Sequence, residues 1–185
     1  MAKINLFGTA NDSIVDGPGL RYVVFTQGCP HKCKGCHNPE SQEFQDNKIM
    51  EVDDIVDDVK SNPLVQGVTL SGGEPFSQVE PCAELAEKLK AQGYNIWCYT
   101  GALYENHAEE AKDNEAVAKL LDNLDVLVDG PFIEEKMSYS ADWRGSTNQR
   151  LIDMNKTREA GKVVLYEVEG SEQGTDLNFE RPENW

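Results

Sequence analysis

The stretch LRYVVFTQGCPHKCKGCHNPE, residues 20–40, joins a strand to a cluster of thiols. Residues 20–27 are rich in β-branched and aromatic side chains, which suit a strand. Cys29, Cys33 and Cys36 come immediately after, spaced C-x3-C-x2-C. Beyond that loop the chain alternates helix and strand signals, and the alternation decides the fold.

In VDDIVDDVK (52–60), Val52, Ile55, Val56 and Val59 fall at i, i+3, i+4 and i+7. That spacing is one apolar helix stripe, with acids on the other face. QGVTL (66–70) reads as a second strand running into SGGEP. The spacing predicts a helix over roughly 78–91, with Cys82, Leu85, Ala86 and Leu89 inward. Ser77 and Glu80 resemble a capping box there, and Gly93 is a stop. YNIWCYT (94–100) is a third strand, 115–123 a helix and DVLVD (125–129) a fourth strand. QRLIDM and KVVLYEV are two further strand candidates. The polar tail, residues 169–185, is expected to be loosely ordered.

Strands separated by helices imply right-handed crossovers and parallel pairing. Parallel strands all end on the same side of a sheet. The cysteine loop, SGGEP, YTG and VDGPF each sit just after a strand. They are expected to meet on one face, where α/β proteins place their sites.

The 185 residues suit a single domain. At 39% hydrophobic and 27% charged, the composition is that of a soluble globular chain. The formal net charge of −16 repels phosphate backbones, which argues against nucleic-acid binding. It serves solubility, with steering toward a basic partner patch as the alternative. The start MAKINLFGTAND has no basic, then apolar, leader character, and no apolar run of about 18 residues crosses a membrane. A cytoplasmic location is expected. Five cysteines there point to metal or catalysis rather than a disulfide framework.

Thiolates are soft ligands for zinc or iron–sulfur clusters. A structural zinc site is closed by four ligands. His31 or His37 could complete one. Cys82 on a helix face and Cys98 in mid-strand read as small buried hydrophobes. Three cysteines on a four-iron cluster leave one iron without a protein ligand. An open metal position is what a substrate-binding site needs.

C-x3-C-x2-C just after a first strand resembles the signature of radical S-adenosylmethionine (SAM) enzymes. SGGEP after the second strand resembles that superfamily's glycine-rich SAM motif. The resemblance implies a radical SAM domain and one [4Fe-4S] cluster per chain on Cys29, Cys33 and Cys36. SAM would chelate the open iron. A full eight-unit barrel takes about 250 residues, so the expected architecture is α/β, a partial, open parallel βα barrel of about five or six strands. Its core would run over residues 4–168.

Gly72 and Gly73 let backbone approach a ligand closely. By resemblance, the Ser71–Glu74 segment receives the SAM ammonium, and Glu74 supplies a complementary charge. Asp129 and Thr100, at strand ends, are candidates for ribose hydroxyls. Turn roles are the alternative for both. Gly35 to His37 would flank the adenine, although many relatives carry an aromatic where Gly35 stands.

DGPGLR (16–21) with the cysteine segment is similar to the opening of glycyl-radical-enzyme activases. DVLVDGPF and DWRGSTNQRLID (142–153) narrow the likeness to activating proteins of the anaerobic (class III) ribonucleotide reductase. In that context Arg144, Ser146 and Asn148 are candidates for SAM carboxylate or partner contacts. The implied activity is reductive cleavage of SAM to methionine and 5′-deoxyadenosine. It would generate a glycyl radical in the reductase large subunit, with reduced flavodoxin or a similar protein as electron donor. Alternatives are activation of pyruvate formate-lyase or another glycyl radical enzyme, a short carboxy-deazaguanine synthase, or a non-enzymatic zinc or electron-transfer module.

Overall fold

A computed structural model describes residues 2–168. The proposed tail 169–185 lies outside the described residues. The strands are β1 (Lys3–Ser13), β2 (Arg21–Thr26), β3 (Lys48–Glu51), β4 (Gly67–Gly72), β5 (Asn95–Tyr99), β6 (Val126–Asp129) and β7 (Arg150–Asp153). The helices are α1 (Val52–Ser61), α2 (Val79–Ala91), α3 (Tyr104–Glu110), α4 (Glu115–Asp122) and α5 (Met154–Ala160).

Among the described residues, one sheet holds seven strands in the order β3-β1-β2-β4-β5-β6-β7. β2, β4, β5 and β6 are parallel. β1 and β3 add an antiparallel edge on one side, and β7 adds one on the other. The sheet is not closed. Seven strands stand where five or six were expected. The two extra ones, β1 and β3, are polar except at a few positions. Ile4 and Leu6 alone of β1 reach full burial. KVVLYEV is not a strand: among the described residues it makes one isolated bridge, Leu165 to Ile152.

The two faces of the sheet differ. Tyr22, Val24, Val68, Leu70, Ile96, Cys98, Leu127 and Ile152 pack against α1, α2 and α4 through Ile55, Val59, Leu85, Leu89, Val117 and Leu120. Cys82 and Cys98 belong to this core, as their positions in the sequence suggested. Alternate strand residues face the other way, because side chains alternate along a strand. There Trp97, Val126, Val128 and Leu151 gather with Trp143 and Tyr166 from loops. Among the described residues, helices therefore cover one face only.

Arg21 lies on the uncovered face, 1% exposed. Its guanidinium donates to Thr69 Oγ1 at 2.8 Å, to the carbonyls of Pro18, Val68 and Asn95, and to Asn95 Oδ1. It stacks over Trp97 at 5.5 Å. This one side chain joins β2, β4 and β5 at the end opposite the loops.

Local signals explain the helix ends. α2 closes with Tyr94 N–H on the Leu89 carbonyl and Gly93 N–H on that of Lys90, with Gly93 left-handed. That is the Schellman arrangement, so Gly93 is the stop. α2 begins after a 3-10 turn, Pro75–Gln78, and no side chain caps it. Ser77 lies inside that turn and forms no capping box. α5 has Asp153 accepting from Lys156 N–H and left-handed Gly161 at its end. No described helix is long and apolar enough to cross a membrane.

Candidate functional site

The carboxyl ends of the four parallel strands open onto one cleft of about 610 Å³. Cys29, Cys33, Cys36 and His37 line it from the loop after β2. Ser71, Gly72 and Gly73 come from the end of β4. Thr100 and Gly101 follow β5, and Gly130 and Phe132 follow β6. A hairpin loop over 137–149 adds Tyr139, Trp143, Arg144 and Gln149. Several rim side chains are large, apolar and exposed: Val15 at 73%, Met137 at 44% and Tyr139 at 93%, with Ile14 beside them at 73%.

Gly72 and Gly73 have a demonstrable steric reason. A β-carbon at Gly72 would stand 2.4 Å from Thr26 N, and one at Gly73 would stand 2.3 Å from the Gly28 carbonyl oxygen. The pair makes room for the chain's own backbone. Gly73 N–H donates to the Thr26 carbonyl at 2.8 Å, and Glu74 N–H to that of Gly28 at 2.9 Å. The end of β4 is thereby stitched to the start of the cysteine loop.

All five cysteines are free, and the three of the motif are half-buried. Burial pushes the Cys29 thiol up to about 12 and raises Cys33 as well. A metal bound there would displace thiol protons. Among the described residues, no three His, Cys, Asp or Glu side chains are grouped so as to hold one metal ion. Cys29, Cys33 and Cys36 all line the cleft. An iron–sulfur cluster takes its thiolates on separate irons, so this donor set fits a cluster.

The other candidates divide. Arg144 is 7% exposed, lines the cleft and donates to the Gln149 carbonyl at 3.3 Å. Thr100 lines the cleft, with its hydroxyl donating to Glu74 at 3.0 Å. Glu74, Asp129, Ser146 and Asn148 are buried and do not line it. Both Asp129 oxygens accept from Arg150, at 2.9 and 2.5 Å, and one also from Tyr104 N–H. Burial opposes the Arg150 charge, but Asp129 and Glu105 outweigh it and raise its pKa. Asn148 donates to the Pro131 carbonyl at 2.8 Å. Ser146 Oγ accepts from Ile133 N–H.

The structure explains Gly35. Its φ is +75°, and a β-carbon there would stand 3.3 Å from Phe132 Cε1. The Phe132 ring lies 5.1 Å from that of His37. An aromatic thus stands next to position 35, supplied by the loop after β6. Phe132, Tyr99, Trp143 and Gln149 are cleft residues that sequence reasoning did not single out. The signal available for them was their place in the strand-end segments YTG and VDGPF and in DWRGSTNQRLID.

The chain matches the family described as a 4Fe-4S single cluster domain over residues 15–152. It is 35% identical over 145 residues to the anaerobic ribonucleoside-triphosphate reductase-activating protein of Escherichia coli (strain K12), covering 74% of this chain and 90% of that one. The protein of that name from Haemophilus influenzae is 37% identical, with 74% and 89% covered. That of Enterobacteria phage T4 is 32% identical, with 74% and 86% covered. Over most of its length, with its cysteines in the cleft and its strand ends around them, the chain belongs to the family of anaerobic ribonucleoside-triphosphate reductase-activating proteins.

Proposed function

We propose that this chain activates an anaerobic ribonucleotide reductase by generating a glycyl radical in its large subunit. The observation that carries the reading is the cleft itself, with three half-buried cysteines and four parallel strand ends opening onto one face. The names of its relatives supply the partner. Cys29, Cys33 and Cys36 would hold a [4Fe-4S] cluster, which together with SAM would supply the one-electron radical chemistry that such an activation needs.

The chain's own residues bind, orient and exclude water. Cys29, Cys33 and Cys36 are the cluster ligands. With three cysteines in the motif, the cleft beside them would be left for SAM. Ser71 and Gly72 offer polar backbone at the cleft wall, and Arg144 offers a nearly buried cation suited to a carboxylate. Phe132 and His37 offer aromatic faces beside Gly35. The one-sided helix layer supports reading the open sheet as a partial barrel of radical SAM type. The exposed rim of Val15, Met137 and Tyr139 suits a protein substrate, whose loop would cover the cleft. The location is cytoplasmic, with a small reduced electron-transfer protein such as flavodoxin as donor.

The test is anaerobic. The protein is reconstituted with iron and sulfide, then mixed with SAM, reductant and the reductase large subunit. Electron paramagnetic resonance is expected to show a glycyl radical on the reductase, and Cys33→Ala to abolish it. A radical on pyruvate formate-lyase instead would reassign the partner. About one zinc per chain with no SAM cleavage would sink the enzyme reading.

A further inference from the structure

Glu74 ends the motif that most invites assignment to a ligand, yet its carboxylate is fully engaged. It is 3% exposed. Oε2 accepts from His31 Nε2 at 2.6 Å, from the Thr100 hydroxyl at 3.0 Å and from Gly101 N–H at 2.9 Å. Oε1 accepts from Phe76 N–H at 3.1 Å. Four donors match what an ionised carboxylate can accept. Ser71, Gly72 and Gly73 line the cleft, whereas Glu74 turns away behind it.

His31 sits between Cys29 and Cys33 and is 8% exposed. Its ring fills the space above Gly101, where a β-carbon would stand 2.5 Å from His31 Cδ2. The next residue, Lys32, has φ +49°. A lysine holds that left-handed conformation only where its surroundings impose it. Behind Glu74 the hydrogen-bond chain continues to a second histidine. The one Thr100 hydroxyl proton goes to Glu74, so His107 Nε2–H donates to Thr100 at 2.9 Å. The His107 ring stacks on Phe76 at 3.6 Å.

We propose that Glu74 is a positioning residue that acts through His31. It holds the cysteine loop in its binding shape before any cluster is present, and its side chain is not the group that receives a ligand cation. The inference rests on the reading that Cys29, Cys33 and Cys36 hold the cluster. Buried hydrogen bonds to a charged acceptor are among the stronger ones in a protein. A loop preorganised in this way spends less ordering entropy when its ligand arrives.

The first measurement needs no cluster, SAM or reductase, so it stands or falls apart from the proposed activity. Hydrogen exchange of the metal-free protein across residues 29–36 is compared for wild type, Glu74→Ala, Glu74→Gln and His31→Ala. Exchange is expected to quicken about tenfold or more in the two alanine variants, and much less in Glu74→Gln, which keeps an acceptor for His31. The double variant is expected to be no worse than either single one. Iron and sulfide bound after reconstitution are expected to fall in the same order. Loaded Glu74→Gln is expected to bind SAM within a few-fold of wild type and to show a more positive cluster midpoint potential, since a nearby negative charge is gone. Should Glu74→Ala fail to fold, His31→Ala carries the test, because it removes the same contact from the loop side. Unchanged loop exchange in His31→Ala, or a loss of SAM affinity of about tenfold or more in a normally loaded Glu74→Gln, overturns the proposal.

Discussion

Gly35 lies against Phe132: a β-carbon on the first would stand 3.3 Å from the ring of the second, with the Glu134 side chain equally close. Gly35→Tyr adds that contact and forces a non-glycine residue to φ +75°. A loss of about 1–3 kcal/mol is expected in the chemical denaturation of the metal-free protein. Phe132→Ala in the same chain is expected to restore part of it, and a double-mutant cycle measures the coupling.

Arg21→Met keeps the buried stem and removes the guanidinium. It leaves the Val68 and Asn95 carbonyls and the Asn95 side chain without their donors. A loss of about 3 kcal/mol or more is expected, read as a fall in the denaturation midpoint. This residue stands in DGPGLR, a motif similar to the opening of activases. Its structural work is to tie three strands together.

His107 is buried, and burial lowers its pKa. The unfolded chain therefore binds a proton more readily than the folded one. Stability is fully present above the unfolded value of about 6.5 and falls as pH drops from there toward the lowered folded value. His107→Gln keeps a donor for Thr100 and removes the titration. Thermal melts between pH 7 and 5 are expected to show a shallower decline for the variant.

Asp125 is opposed by burial but held ionised by Lys90, Asn155 and the Ile96 N–H, and its pKa is lowered. The sign is that of a depressed carboxylate. Its contribution is present above the unfolded value of about 3.9 and is lost as pH falls below it. Asp125→Asn is expected to cost about 1–3 kcal/mol at neutral pH and to flatten the acid limb of a stability curve.

The parallel core was legible because its elements carry unmixed signals. Val52, Ile55, Val56 and Val59 make an unbroken stripe, and the four inner strands are short apolar runs. β1 was not legible because only Ile4 and Leu6 alternate inward, and Gly8, Asn11 and Asp12 dilute the rest. β3 holds its place by pairing with β1, which no local pattern announces. α5 did carry a signal, with Asp153 before it and Gly161 after it, but seven residues with little apolar content hid it. KVVLYEV has strand composition, yet Val163 and Tyr166 are spent on packing against the two cores. At the site, which loops would meet was readable from topology. Which side chains would face the cleft was not. Glu74 and Asp129 look like ligand groups in the sequence and turn out to have partners inside the protein, one in the cysteine loop and one at the start of β7.

The rim of the cleft gives the acidic composition a second meaning. Val15, Met137 and Tyr139 line the cleft as exposed apolar side chains, and Ile14 next to Val15 in the chain is exposed too. Two copies meeting mouth to mouth would bury that surface. A net charge of −16 on each copy makes such an encounter costly at a distance, before the apolar groups can touch. High salt shortens the reach of that repulsion. Like charge of that size opposes contact between the apolar rims of two copies at low ionic strength.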